Sequence, residues 1–147
     1  QRQIFLLYNL KHKDMERLKH RIVLLWTLIM GGFAFHCIAD LLPLFWSADI
    51  AADNSGTAPE GMLLLMMALS YLIPAIGILC LLFSKRRGIL MINTVLAVFT
   101  AVFCIFHLSE LITEFTLAQV AILPAMATIA ILLAIDSIRM TKKIKTE

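Results

Sequence analysis

Four long runs of apolar residues, separated by short charged connections, constrain this chain more than any other feature of its sequence. The runs cover residues 22–46, 61–83, 88–109 and 115–135. A helix needs about 20 apolar residues to cross a hydrocarbon core about 30 Å thick, and each run is long enough. None shows the alternation with a period of two that a membrane β-strand requires. The runs therefore predict an all-α integral membrane protein that folds as a four-helix bundle over residues 22–138.

Composition supports the same class of protein. Of the 147 residues, 61% are hydrophobic and 16% are charged, whereas soluble domains have about 45–50% apolar and about 25% charged residues. A soluble core of this size cannot bury so many apolar side chains. This balance of hydrophobic and charged residues also excludes a disordered chain. It excludes a nucleic-acid-binding module as well, because such a module depends on a basic face. The partner that this composition predicts is the lipid bilayer.

The charged residues are divided between the two ends of the predicted helices. All thirteen Lys and Arg residues precede the first run, join the second run to the third, or follow the fourth. The other two connections carry only acids, namely Asp49, Asp53, Glu60, Glu110 and Glu114. Because basic connections stay in the cytoplasm, this pattern predicts a bacterial inner-membrane protein with both termini in the cytoplasm.

Two basic segments flank the helical domain. Residues 1–21 place apolar side chains at helical spacing among charges, which is typical of an amphipathic cytoplasmic or interfacial helix. Such a helix contacts anionic lipid or a partner protein. The favoured interpretation, however, is a plain extension of the first span with a solvated basic face. Residues 139–147 are predicted to form a basic cytoplasmic tail.

The two halves of the predicted bundle resemble each other. Phe-His pairs end at His36 and His107, and an acid follows each pair within four residues. Pro74 and Pro124 lie in the similar contexts Leu-Ile-Pro-Ala and Ile-Leu-Pro-Ala. Each proline is expected to kink its helix, because it removes one backbone hydrogen bond. The pattern predicts two repeated helical hairpins.

Histidines and carboxylates inside the apolar runs are the candidate functional residues, because ionisable groups are costly in a membrane. His36 and Asp40 are four residues apart, and His107 and Glu110 are three apart, so each pair shares a helix face. Imidazole nitrogen and carboxylate oxygen are usual ligands of Zn²⁺. These four residues therefore form a candidate site for a divalent metal ion such as zinc.

Heights along the helices favour a different pairing of the same residues. At about 1.5 Å per residue, Asp40 lies about 28 Å above Arg21, and His36 lies about 22 Å above it. By the same count, His107 lies about 30 Å above Arg87, close to the height of Asp40. Asp40 and His107 are thus expected to form a hydrogen-bonded, proton-sensitive pair, with His36 one turn deeper in the same ligand or proton site.

A haem site is a further alternative. Histidines such as His36 and His107, on the first and third runs, can ligate the iron of a b-type haem from its two sides. That arrangement is typical of a quinone-linked redox subunit. The unequal heights of the two histidines count against it, because both must reach one iron.

One stretch of the chain has a recognisable layout. The run Leu69-Ser70-Tyr71-Leu72-Ile73-Pro74-Ala75 is followed by a helix end at Phe83-Ser84, a basic turn and Ile92-Asn93. This layout resembles uncharacterised small four-span bacterial membrane proteins that are distantly similar to the DoxX-like group. The resemblance implies a four-helix bundle in a bacterial inner membrane, and the group includes subunits associated with quinone-linked oxidation. No catalytic motif carries over to this chain.

The sequence favours a binding protein over an enzyme, since it contains no nucleophile elbow, P-loop or dinucleotide fingerprint. The predicted function is to handle an ion, a proton or a small ligand at the His/Asp/Glu site in the outer half of the bundle. One alternative is a membrane redox subunit that holds haem b or quinone. The other is a structural or regulatory subunit of a membrane complex, or of a homo-oligomer, whose polar residues serve only packing.

Overall fold

The computed structural model describes residues 2–47, 49, 57, 59–83, 86–113 and 115–145. Asp53, Lys85 and Glu114, which enter the charge argument, lie outside the described residues, as do residues 146–147 of the predicted tail. All regular structure in the described part of the chain is helical. The all-α prediction is therefore confirmed.

Four long helices carry the fold in the described ranges: α1 (Arg2–Leu41), α2 (Glu60–Phe83), α3 (Arg87–His107) and α4 (Leu117–Lys145). Each belongs to a helical segment that is long and apolar enough to cross a membrane, which confirms the prediction of four potential spans. The cytoplasmic location of the termini and the bacterial inner membrane stay predictions.

Helix α1 begins well before the first apolar run. It continues without a break from Arg2 through residue 21 into the span, so residues 2–21 extend the first helix. The position of this extension at a membrane surface stays a prediction. The α-helix ends at Leu41 because Pro43 lacks an N–H and restricts the residue before it. The chain continues as a 3₁₀ helix over Leu42–Trp46 and turns at Ser47, whose φ is 57°.

The two central prolines lie in helices of different type. In α2, a π-helical turn over Ala68–Leu72 precedes the buried Pro74, and this wider turn makes room for the proline ring. In α4, the α-helix runs through the exposed Pro124 without interruption. The similarity of the two sequence contexts therefore does not extend to the helix type. The repeat itself stays a prediction.

The four helices form a ring in cross-section. Helices α1 and α3 each pack against α2 and α4, and long side chains of α1 and α3 meet across the centre. The Trp26 indole Nε1 donates to Asn93 Oδ1 at 2.9 Å, and the ring centroids of Phe33 and Phe103 are 6.1 Å apart. Because these contacts occur in the same order along both helices, α1 and α3 run parallel to each other.

An apolar layer fills the middle of the bundle and consists of Ile29, Phe33, Ala97, Ala101, Met126 and Ala130. Packing in this layer is tight, since a Cβ added to Gly32 would lie 2.7 Å from Met126 Cγ. The layer separates two polar regions. We call the region with Arg21 and Arg139 the basic end and the region with Asp40 and Glu110 the acidic end.

A polar network ties three helices together between the apolar layer and the basic end. Asn93 accepts from Trp26 and donates its Nδ2 to Ser137 Oγ at 3.2 Å, which connects α1, α3 and α4. Helix α2 is held here by packing instead. Gly77 lies so close to Trp26 that an added Cβ would overlap the indole ring.

Candidate metal site at the acidic end

The candidate site lies where three helices end. His36 lies in the last two turns of α1, His107 is the final residue of α3, and Gln119 lies in the first turn of α4. Their side chains meet because α1 and α3 face each other across the bundle and α4 lies against both. Phe103 stacks on the His107 ring, with the centroids 5.4 Å apart, and closes the site on the side of the apolar layer.

A chain of side-chain contacts runs through the site. Gln119 Nε2 donates to Asp40 Oδ1, and Gln119 Oε1 lies 2.8 Å from His36 Nδ1. His36 Nε2 is 3.0 Å from His107 Nε2. His107 Nδ1 is in turn 3.0 Å from Glu110 Oε1. The two histidines therefore lie in the middle of the chain, with a carboxylate at each end.

These contacts determine which imidazole nitrogens carry hydrogen. The Asp40 carboxylate can only accept, so the Gln119 amide must turn its nitrogen towards Asp40 and its oxygen towards His36. An amide oxygen 2.8 Å from His36 Nδ1 requires that Nδ1 donate. In the same way, the Glu110 carboxylate favours a hydrogen on His107 Nδ1. Each neutral imidazole then directs an unprotonated Nε2 towards the other.

Two unprotonated Nε2 atoms at 3.0 Å repel each other, so the arrangement needs one positive ion between them. A proton can supply the charge, because an imidazolium donates Nε2–H to a neutral imidazole. A metal ion can supply it by accepting both lone pairs. With both histidines neutral, the site therefore lacks one cation.

Two carboxylates set the charge of the site. Asp40 Oδ2 lies 3.7 Å and Glu110 Oε2 lies 3.9 Å from His36 Nε2. The His36 and His107 side chains are 11% and 17% exposed, whereas the Asp40 side chain is 54% exposed. With neutral imidazoles, the four side chains carry a charge of −2. One divalent cation balances this charge, whereas one proton does not.

The geometry is close to that of a bound metal ion. His36, His107 and Glu110 each offer a ligand atom that lies within 4.8 Å of the other two. In a tetrahedral site with Zn–N bonds of about 2.0–2.1 Å, neighbouring ligand atoms are about 3.3 Å apart. The two Nε2 atoms, at 3.0 Å, have to separate by only a few tenths of an ångström. The amide oxygen hydrogen-bonded to His36 Nδ1 is an outer partner of the kind that orients metal-binding histidines in proteins.

The same histidine pair does not fit a haem. Axial imidazoles bind opposite faces of one iron, so their ligating nitrogens lie about 4 Å apart with the porphyrin between them. Here the two Nε2 atoms are 3.0 Å apart and the ring centroids 4.9 Å apart, which leaves no space for a macrocycle. The packing at the acidic end gives the haem alternative no support.

The described residues include no direct hydrogen bond between Asp40 and His107, and a contact through water stays a prediction. Asp40 accepts from Gln119, and His107 contacts His36, which the height estimate placed one turn deeper. The estimate assumed that α1 and α3 rise equally through the bundle. All the same, the structure brings together His36, His107 and Glu110 of the predicted metal set, with Asp40 at their edge.

The spacing of the contacts between α1 and α3 shows why the height estimate fails. Trp26 contacts Asn93 and His36 contacts His107, but ten residues separate the first residues of these pairs and fourteen separate the second. Four residues correspond to about 6 Å of helix. Equal heights on the two helices therefore do not identify the residues whose side chains meet.

Gln119 is the site residue that the sequence analysis does not single out. Its side chain is buried, and it carries the contact between Asp40 and His36. The available signal is an amide in an otherwise apolar run, three residues after Thr116, whose Oγ1 accepts from the Gln119 backbone N–H at 3.4 Å. Thr-x-x-Gln is the spacing of a capping box at a helix N-terminus. Here the Gln119 side chain reaches across to α1 instead of back to its own helix.

Comparison with protein families, curated proteins and solved structures found no match for the chain. The class of protein is therefore described from features of the chain itself. These are an all-helical fold, four helices that can span a membrane, and a cluster of histidine and glutamate side chains at one end. The similarity to DoxX-like proteins stays a prediction from sequence layout.

Proposed function

We propose that this chain is a multi-pass protein of the bacterial inner membrane that binds one divalent transition-metal ion, of the chemical class of Zn²⁺, at the acidic end. The observation that carries the proposal is the pair of facing Nε2 atoms of His36 and His107, 3.0 Å apart. Gln119 Oε1 is hydrogen-bonded to His36 Nδ1, and Glu110 Oε1 lies 3.0 Å from His107 Nδ1. This arrangement presents two lone pairs to the same point. Metal-binding histidines have the same need for an outer hydrogen-bond acceptor.

Charge favours a metal ion over a proton as the physiological occupant. A proton leaves the site at −1, whereas a divalent ion with two neutral imidazoles and two carboxylates leaves it neutral. Neutrality matters because the histidines lie next to the apolar layer, where unbalanced charge is costly. Imidazole nitrogen together with carboxylate oxygen selects Zn²⁺ and its neighbours over Mg²⁺ and Ca²⁺, which prefer oxygen ligands.

The proposed site is open to solution on one side, where a metal ion can enter and leave. Asp40 and Glu110 are partly exposed at the acidic end, while Phe103 and the apolar layer close the opposite side. With the predicted orientation, the metal ion enters from outside the cytoplasm. In the proposal, the metal ion binds between the two Nε2 atoms while both imidazoles are neutral.

Metal titration of the purified protein in detergent tests the proposal. After treatment with a chelator, we expect one Zn²⁺ per chain to bind, and Co²⁺ to give the visible absorption of a tetrahedral ion. His107→Gln should abolish this binding. His20→Gln is the matched control, because His20 is exposed near the basic end, where its Nδ1 lies 2.7 Å from the Glu16 carbonyl oxygen. Absence of binding by the folded wild type, or equal loss in both variants, would overturn the proposal.

A further inference from the structure

A second polar feature lies at the basic end, on the opposite side of the apolar layer from the metal site. Here α1 and α4 enclose an open cavity of about 480 Å³. Its lining comes from one face of each helix and consists of Asp14, Arg17, Leu18, Arg21, Asp136, Arg139, Lys142 and Lys143. The cavity shares no residue with the metal site.

The lining is strongly basic. Five Lys or Arg side chains face two Asp side chains, so the lining carries a formal charge of +3. Concave basic surfaces concentrate anions, because the low-dielectric walls focus the field of the charges. The shape and charge of the cavity therefore select an anionic group.

Asp136 positions two of the arginines. It is 1% exposed, and its carboxylate oxygens lie 2.9 Å from Arg21 Nη2 and 3.6 Å from Arg139 Nη1. Each guanidinium has five N–H donors, and one shared carboxylate uses few of them. The Arg21 and Arg139 side chains are 59% and 65% exposed, so their remaining donors are available at the cavity. Two guanidinium groups fixed in this way match the oxygens of a phosphate group.

The height of the cavity distinguishes a lipid phosphate from a free one. Arg21 immediately precedes Ile22, which is fully buried in the core, and Asp136 immediately follows Ile135, which is exposed on the outside of the bundle. The cavity thus lies where the apolar spans end, at the depth of lipid headgroups. Leu18 adds an apolar wall that suits the glycerol and acyl region of a lipid.

We propose that this cavity binds the phosphate of an anionic phospholipid from the leaflet at the basic end. Arg21 and Arg139 hold the phosphate oxygens, and Arg17, Lys142 and Lys143 add charge around the headgroup. Free inorganic phosphate shares this chemistry, so the test must separate the two sources.

Native mass spectrometry of the detergent-purified protein, titrated with phosphatidylglycerol, tests the proposal. We expect one phosphatidylglycerol per chain to be retained at concentrations where phosphatidylcholine is not. Each basic residue near an anionic headgroup changes the binding constant by about fivefold. Arg139→Gln/Lys142→Gln, which leaves the contact between Arg21 and Asp136 intact, should therefore weaken binding by about 30-fold.

The matched control is Lys13→Gln/Lys19→Gln, which removes the same charge from α1 at residues outside the cavity lining and should leave binding unchanged within about twofold. If the first variant does not fold, Arg17→Gln/Lys142→Gln removes two lining charges without touching either partner of Asp136 and should show the same loss. Three results would overturn the proposal: equal weakening in the control, equal retention of phosphatidylcholine, or displacement of the lipid by equimolar inorganic phosphate.

Discussion

Replacing Gln119 by methionine removes the contact on which the protonation state of His36 depends. Methionine has a similar length and no strong hydrogen-bonding group, so the volume of the buried position is nearly kept. His36 Nδ1 loses its acceptor, and Asp40 loses its donor. The imidazole is then free to carry its hydrogen on Nε2, where it blocks the lone pair that faces His107.

The magnitude follows from this loss of orientation. Removing an outer hydrogen-bond partner of a metal-binding histidine weakens metal binding about 10–100-fold. This range corresponds to about 1.4–2.8 kcal/mol. A buried donor left without an acceptor costs about 1–3 kcal/mol, which agrees. The His36 side chain is 11% exposed, so water replaces the amide oxygen only in part and the effect should exceed tenfold.

Competition with a fluorescent zinc chelator measures the affinity of the wild type and of Gln119→Met. Gln3→Met is the control, because Gln3 is exposed on the first turns of α1, far from the acidic end. Nitrogen chemical shifts of the His36 ring should show the hydrogen on Nδ1 in the wild type and a mixture of tautomers in Gln119→Met. An affinity change below about twofold in a folded Gln119→Met protein would refute the role given to Gln119.

Three further predictions concern the charge pattern of the chain, the competition between protons and metal ions for the histidine pair, and the packing of α2. Reporter fusions at both termini should report the cytoplasm and a reporter inserted within residues 47–60 should report the outside; termini on opposite sides would contradict the assigned orientation. Lowering the pH should weaken the apparent Zn²⁺ affinity, because protons compete with the metal ion for the imidazole nitrogens, and a pH-independent affinity would exclude that competition. Gly77→Ala should destabilise the bundle by about 1–3 kcal/mol in thermal unfolding, because its Cβ overlaps Trp26, while Gly31→Ala, with open space around it, should not.

The four spans could be predicted from the sequence because a single physical length, the thickness of the bilayer core, sets the minimum apolar run. The bounds of α1 could not, because the charges of residues 2–21 are compatible with an exposed helix as well as with a separate segment. The π-helical turn before Pro74 could not be predicted from the sequence either, since Pro124 has a similar sequence context and its helix is regular. Neighbouring helices decide how a proline is accommodated.

The residue types of the candidate site could be read from the sequence, but their pairing could not. His36, His107 and Glu110 are conspicuous because they are ionisable groups in apolar runs. Their partners depend on how α1 and α3 pack against each other, and the spacing of residues along one helix does not reveal this packing. Gln119 is neutral, so the cost of an ionisable group in a membrane does not draw attention to it.

Helix α4 follows α1 and α3 along the chain. Side chains of α1 and α3 contact it at the acidic end, in the polar network and at the basic end. Gln119 is hydrogen-bonded to His36, Ser137 is hydrogen-bonded to Asn93, and Asp136 forms an ion pair with Arg21. These contacts can therefore form only once α4 has been synthesised and has packed against α1 and α3. Helix α4 contributes to the proposed metal site through Gln119, which orients His36. An ion bound in the proposed site would in turn hold α1 to the end of α3 through His36 and His107, and Gln119 would tie α4 to that pair.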